Sequence, residues 1–130
     1  MKISIDMERI ELEYMIRSSP RILYNLLSTS NGLATWFADK VDVKDNIFKF
    51  QWNGSEDSAK VVSSKEPEYI RFHWVGDSDK SHYFEFRIKI DELTEDVALV
   101  ITDFCEKDEY EETKLLWNTQ VQNLMHALGS

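Results

Sequence analysis

Apolar and polar residues alternate along most of this chain, and the apolar partner is usually large and often aromatic. Phe84, Phe86, Ile88 and Ile90 alternate with Glu85, Arg87, Lys89 and Asp91, the period-2 signature of a strand with one buried face. Phe48, Phe50 and Trp52 do the same around Lys49 and Gln51, and Ile70, Phe72 and Trp74 around Arg71 and His73. Ile10, Leu12, Tyr14 and Ile16 alternate with Glu11, Glu13 and Met15 and predict a first strand. Ile3, Ile5 and Met7 alternate on odd numbers, so the frame slips near Glu8-Arg9 and predicts a bulge or a frayed lead-in. Val41 and Val43 lead to a tight turn at Asp45-Asn46. Asn53-Gly54, two residues that tolerate positive φ, is the strongest two-residue hairpin signal, and its partner strand runs to about Ser63, before Glu66-Pro67-Glu68. Val97 to Phe104 is apolar on both faces, as in a strand that is covered on both sides or lies centrally.

Helical periodicity appears in three places. Ser18-Ser19-Pro20 starts a helix with a serine N-cap and proline at the first helical position, where its missing N–H costs little. Ile22, Leu23, Leu26 and Leu27 form its expected buried stripe, and Thr29-Ser30-Asn31-Gly32 ends it. Ser30 is placed to cap a second short helix carrying Leu33, Trp36 and Phe37. Glu109 to Leu128 then reads as one long amphipathic helix, with Tyr110, Trp117, Val121, Leu124 and Leu128 on one face. Asp108 and Glu111 offer a capping box, and Glu109, Glu111 and Glu112 complement the helix dipole. A helix of about 20 residues extends roughly 30 Å, enough to cross a sheet. Lys114 is expected to snorkel from the apolar face, and Leu115 to stand alone on the solvated one.

With 130 residues, the chain suits a single domain over 1–130 that buries its own core. Four tryptophans and seven phenylalanines make aromatic burial the main source of its stability. A formal charge of −9 argues against nucleic acid and anionic membrane surfaces as partners, and leaves solubility or a basic partner protein as its use. Cys105 is the only cysteine, which excludes an internal disulfide and a cysteine-based zinc site. The start lacks the apolar core of a signal peptide, and no apolar run reaches the roughly 20 residues of a membrane span, so a cytoplasmic location is expected. His73, His82 and His126 fall at polar positions without metal-ligand spacing. There is no glycine-rich phosphate loop, no Gly-x-Ser-x-Gly elbow and no His-Glu-x-x-His, so no metal and no cofactor is expected. Asp103 shares parity with Val97, Leu99 and Ile101, and is either a buried acid or a hydrogen-bonded strand end.

The order of elements is strand, two short helices, about six antiparallel strands and a long helix. It resembles the helix-grip fold of START-like domains, the SRPBCC superfamily of steroidogenic-acute-regulatory-related, pathogenesis-related and polyketide-cyclase proteins. Locally the chain is most similar to the subgroup related to the C-terminal domain of the Hsp90 co-chaperone activator. That likeness rests on Ser19-Pro20, on Leu33-Ala34-Thr35-Trp36-Phe37 and on Leu115-Leu116-Trp117. The resemblance implies an α+β fold with a curved antiparallel sheet of about seven strands, two short helices after strand 1 and a C-terminal helix packed across the sheet. The superfamily includes lipid carriers, hormone receptors, cyclases and co-chaperones, so function has to come from the site.

Trp36, Phe50, Trp52, Phe72, Trp74, Phe84, Phe86, Trp117 and Val121 are expected to converge between sheet and helix. They could line a cavity for an apolar small molecule, a lipid or an aromatic metabolite, or they could fill that volume as core. The inward residues are almost purely apolar, which favours binding without chemistry. Two alternatives stay open. One is a co-chaperone-like adaptor using its acidic surface and Leu115, and the other is a cyclase-like enzyme using Asp103, Tyr83 or a histidine.

Overall fold

The structure is a computed structural model and describes residues 7–129. Strands β1 (Met7–Ile16), β2 (Lys40–Lys44), β3 (Ile47–Trp52), β4 (Ser55–Lys65), β5 (Tyr69–Trp74), β6 (Phe84–Ile90) and β7 (Val97–Glu106) form one sheet. Helices α1 (Pro20–Ser28) and α2 (Ser30–Trp36) follow β1, and α3 (Tyr110–Ala127) closes the chain after a 3-10 turn at Lys107–Glu109. The sheet order is β1-β7-β6-β5-β4-β3-β2, antiparallel throughout. Strands β2 to β7 are therefore a meander, and the two short helices carry the chain from β1 on one edge to β2 on the other. This is the expected α+β, helix-grip architecture.

Alternation decides which side is inside. Phe48, Phe50, Ile70, Phe72, Phe84, Phe86, Leu99 and Ile101 are all buried on the face beneath the helices. Helix α1 approaches β5 and β6, α2 approaches α1, β2 and α3, and α3 approaches β1 and β7. The terminal helix thus covers one end of the sheet, and the short helices cover the remainder. Tyr14 Oη donates to Asn118 Oδ1 at 2.6 Å and ties α3 to β1. Tyr24 Oη donates to the Tyr69 carbonyl at 3.3 Å and ties α1 to β5.

Several local expectations need correction. Strand β1 pairs with β7 without interruption from Met7 to Ile16, so the frame slip at Glu8-Arg9 produces no bulge there. Ile3 and Ile5 lie outside the described residues. The irregularity in the sheet falls instead between Val61 and Ser63 in β4. Both residues of Asp45-Asn46 have positive φ, whereas only Gly54 does in the Asn53-Gly54 turn. The shorter-looking signal is thus the mirror-image hairpin turn. Ser19 caps α1 as expected, accepting from Ile22 N at 3.2 Å, but Ile22 is exposed and Tyr24 takes its place in the buried stripe. Thr29, rather than Ser30, caps α2, accepting from Gly32 N at 2.9 Å. The Asp108–Glu111 capping box does not form, because the 3-10 turn places Glu109 at the helix start and no side chain caps it.

Strand β7 lies one position in from the edge, and its outer face has no second layer of elements. Val100 is nevertheless buried, and its register partners are Glu13 and Arg87, long side chains able to shield it. Beside it Glu85 is buried on the outer face, which simple alternation does not foresee. Arg71 Nη2 lies 2.9 Å and Arg87 Nε 3.1 Å from its carboxylate. Each guanidinium also stacks on a ring, Arg71 over Tyr83 at 4.0 Å and Arg87 over Tyr69 at 4.2 Å. Burial raises the Glu85 pKa, but the hydrogen bonds and charges of Arg87 and Arg71 outweigh it and hold the carboxyl below its ordinary range.

Two stability predictions follow from this packing. A Cβ at Gly32 would lie 2.4 Å from the Asn25 carbonyl oxygen and 2.7 Å from Leu26 Cα, where α2 crosses α1. Gly32→Ala should therefore cost about 1–3 kcal/mol in urea unfolding, and wild-type stability in that variant would refute the close approach. Glu85→Ala should cost about 1–2 kcal/mol at neutral pH, reduced because its arginine partners are over a third exposed. A depressed carboxyl stabilises above its ordinary pKa and loses that effect as pH falls through the folded value. The gap between wild type and variant should accordingly narrow in acid.

Candidate functional site

The deep interior is filled. Phe50, Phe72, Phe84 and Phe86 are at most 1% exposed, and their rings pack on one another. Phe72 stacks on Phe84 at 4.8 Å between centroids, and Phe37 meets Phe50 edge-on at 4.8 Å. Trp36 is also buried, donating from Nε1 to the Leu26 carbonyl at 2.7 Å. Phe37 sits at the centre of this cluster, in ring contact with Trp36, Phe50, Trp52, Phe84, Phe86 and Trp117.

An opening remains where β7 runs out toward the 3-10 turn and α3 begins. It is a cavity of about 510 Å³, lined by Met7, Phe37, Trp52, Trp74, Asp103, Phe104, Cys105, Glu109, Thr113, Leu116, Trp117 and Gln120. A second depression of about 410 Å³ shares Phe37, Trp52, Leu116 and Gln120 with it and extends along α2 past Trp36. Strand alternation supplies Trp52 and Trp74 from the ends of β3 and β5, and helical spacing supplies Thr113, Leu116, Trp117 and Gln120. Trp52 is locked by donating from Nε1 to the Phe37 carbonyl at 2.8 Å.

Asp103 is the polar pivot of this cavity. Its Oδ1 accepts from Phe104 N at 2.8 Å and its Oδ2 from Trp117 Nε1 at 2.9 Å. Asp103 is half-buried and hydrogen-bonded through both oxygens, three residues before β7 ends at Glu106. Burial raises its pKa, and the bonds from Trp117 and Phe104 offset this only in part. Burial likewise raises the pKa of the Cys105 thiol, which is unfavourable for a nucleophile. At the cavity mouth the carboxylates of Glu106, Asp108 and Glu109 stand close together, and the charge of Glu109 raises the Glu106 pKa. This is the one grouping of three metal-capable side chains among the described residues, and its members are exposed or half-buried.

Of the residues expected to surround a ligand, Trp52, Trp74 and Trp117 line the larger cavity and Trp36 the smaller. Phe50, Phe72, Phe84, Phe86 and Val121 lie in the packed core, away from both. The sequence reading missed Phe37, Leu116 and Gln120. Phe37 was legible as an apolar residue at the end of α2, but which of two adjacent aromatics faces the opening is a tertiary matter. Leu115 is exposed, as anticipated, and so is its neighbour Leu116. His73 faces outward, its ring nitrogens 2.8 Å from the His82 carbonyl oxygen and 2.9 Å from that of Asp77. His82 contacts the carboxylates of Asp77 and Asp79, and His126 is exposed.

This architecture agrees with sequence and structure comparisons. The START-like superfamily domain matches residues 4–130, and the chain belongs to that superfamily, whose members commonly bind hydrophobic ligands. A Bacteroides fragilis protein solved by NMR in solution is 40% identical over 94% of this chain and 91% of its own, with a TM-score of 0.67. The Aha1 dimer from Colwellia psychrerythraea is 21% identical over 93% of this chain and 96% of its own, with a TM-score of 0.78. A Mesorhizobium loti protein solved by X-ray crystallography is 15% identical over 94% of this chain and 97% of its own, with a TM-score of 0.76. The last two likenesses concern fold alone. No curated protein matches the chain. Among the described residues no helix is long and apolar enough to cross a membrane.

The raised pKa of Asp103 has a measurable consequence. Asp103→Ala strands the Trp117 indole N–H and should cost about 1–3 kcal/mol. A carboxyl with a raised folded pKa contributes fully below its ordinary value and less as pH rises through the raised one. The melting-temperature gap between wild type and variant should therefore be wider near about pH 4 than near about pH 8. A gap that widens with pH would mean that the two hydrogen bonds outweigh burial.

Proposed function

We propose that the chain binds an apolar small molecule, a lipid or an aromatic metabolite, in the cavity between β7 and α3, and holds it without converting it. The observation that carries this reading is the cavity itself. Its volume of about 510 Å³ lies within the roughly 300–1,000 Å³ of small-molecule sites. Its walls are largely apolar, with Phe37, Trp52, Trp74 and Trp117 offering rigid aromatic area. Binding without chemistry is supported by the polar groups. Asp103 is engaged by Trp117 and Phe104, and the Cys105 thiol is disfavoured as a thiolate. The cytoplasm is the expected setting.

A second reading has one specific observation behind it. Leu115 and Leu116 are adjacent, exposed and apolar on an acidic protein, which suits an adaptor that docks a basic partner protein. A neighbouring fold known as the Aha1 dimer gives that reading a precedent in protein association.

One pair of variants separates the two readings. The neutral probe N-phenyl-1-naphthylamine should bind saturably and quench tryptophan emission, since three of the four tryptophans line the larger cavity. Leu116→Glu puts a charge on the cavity wall and should weaken the probe about tenfold, whereas Leu115→Glu should leave it unchanged. Absence of saturable binding, or equal loss in both variants, would remove the cavity reading. Salt-sensitive capture of one basic protein, abolished by Leu115→Glu, would favour the adaptor.

A further inference from the structure

We infer that the cavity selects an organic cation, a protonated amine carried on an apolar or aromatic body. This rests on the small-molecule reading above and names the chemical class that the same site takes. Its polar wall is one-sided. Asp103 and Glu109 contribute carboxylates, and among the described residues no lysine, arginine or histidine lines the cavity. Gln120 sits one helical turn after Trp117 and also lines the cavity, and its covered Oε1 has no protein donor within reach, the one such side-chain atom among the described residues. A side-chain rotation that turned this oxygen into the cavity would let a ligand N–H relieve its desolvation penalty.

The indole donors are already committed elsewhere. Trp117 Nε1 donates to Asp103 and Trp52 Nε1 to the Phe37 carbonyl, so these rings meet a ligand through faces and edges. The face of an aromatic ring carries negative potential, and Trp is the strongest of the three rings toward a cation. Asp103 spends one acceptor site on each oxygen, and a carboxylate has about four in all, so it retains capacity for an ammonium N–H. Aromatic faces and carboxylates together form a wall of electron donors, with the unpartnered Gln120 oxygen just behind it. An anionic head such as a carboxylate or phosphate meets repulsion there, reinforced by the net charge of −9.

Three ligands of one shape test the inference: 2-(aminomethyl)naphthalene, 2-methylnaphthalene and 2-naphthoate, titrated by tryptophan quenching at low salt. The amine should bind at least tenfold more tightly than the hydrocarbon, and the naphthoate more weakly than either. The amine's advantage should shrink as salt rises. Glu109→Gln, at an exposed position, and Gln120→Leu should each reduce the ratio of amine to 2-methylnaphthalene affinity severalfold, the hydrocarbon correcting for any change in the apolar wall. If the hydrocarbon binds as well as the amine, or the naphthoate binds best, the cation assignment is overturned and the apolar-pocket reading survives. If no member of the trio binds, both are overturned.

Discussion

The structure depends on burying one face of a seven-stranded sheet under three helices that are individually too small to cover it. Hydrophobic burial drives this but has no direction, so the rings alone would permit many packings. Hydrogen bonds from three indoles select one. Trp36 anchors α2 to α1 through the Leu26 carbonyl, Trp52 anchors β3 to the end of α2, and Trp117 anchors α3 to β7 through Asp103. Phe37 lies among all three and touches rings from each side. Each large ring is therefore both core and fastener, because its apolar body packs while its polar edge reaches a defined acceptor.

The outer face follows different physics. It has no covering layer, so its stability comes from long charged side chains that shield β7 and from Glu85 held between two arginines. Stacking of those arginines on Tyr69 and Tyr83 extends the network across β5 and β6. In an acidic chain, placing two of the fifteen basic residues around one buried glutamate keeps the carboxylate compensated.

The cavity is a consequence of where α3 lies. Because α3 lies nearest β1 and β7 and reaches the middle of the sheet through Trp117 against Phe86, phenylalanines from β3, β5 and β6 pack mainly against the short helices and fill the centre. The larger cavity opens where β7 outruns that cluster, at Asp103 to Cys105. The shared superfamily fold sets the position of sheet and helix, whereas the side chains at this end set what the space accepts. Filled core and open cavity, which looked like competing readings of one set of aromatics, occupy different ends of the same interior.

Seven strands, their inward rows, the proline-started helix and the face of α3 that is buried were all legible in the chain itself. Each depends on local periodicity or on a single residue's backbone preference, and such signals do not require knowledge of distant partners. Whether a ring lines space or fills it was not legible, since Phe50 and Trp52 share a strand face yet only the second reaches the cavity. Nor were the burial of Glu85, the loss of the Asp108 cap or the unpartnered Gln120 oxygen. Those were decided by which elements meet in three dimensions, because burial and hydrogen-bond satisfaction belong to pairs of segments far apart in sequence.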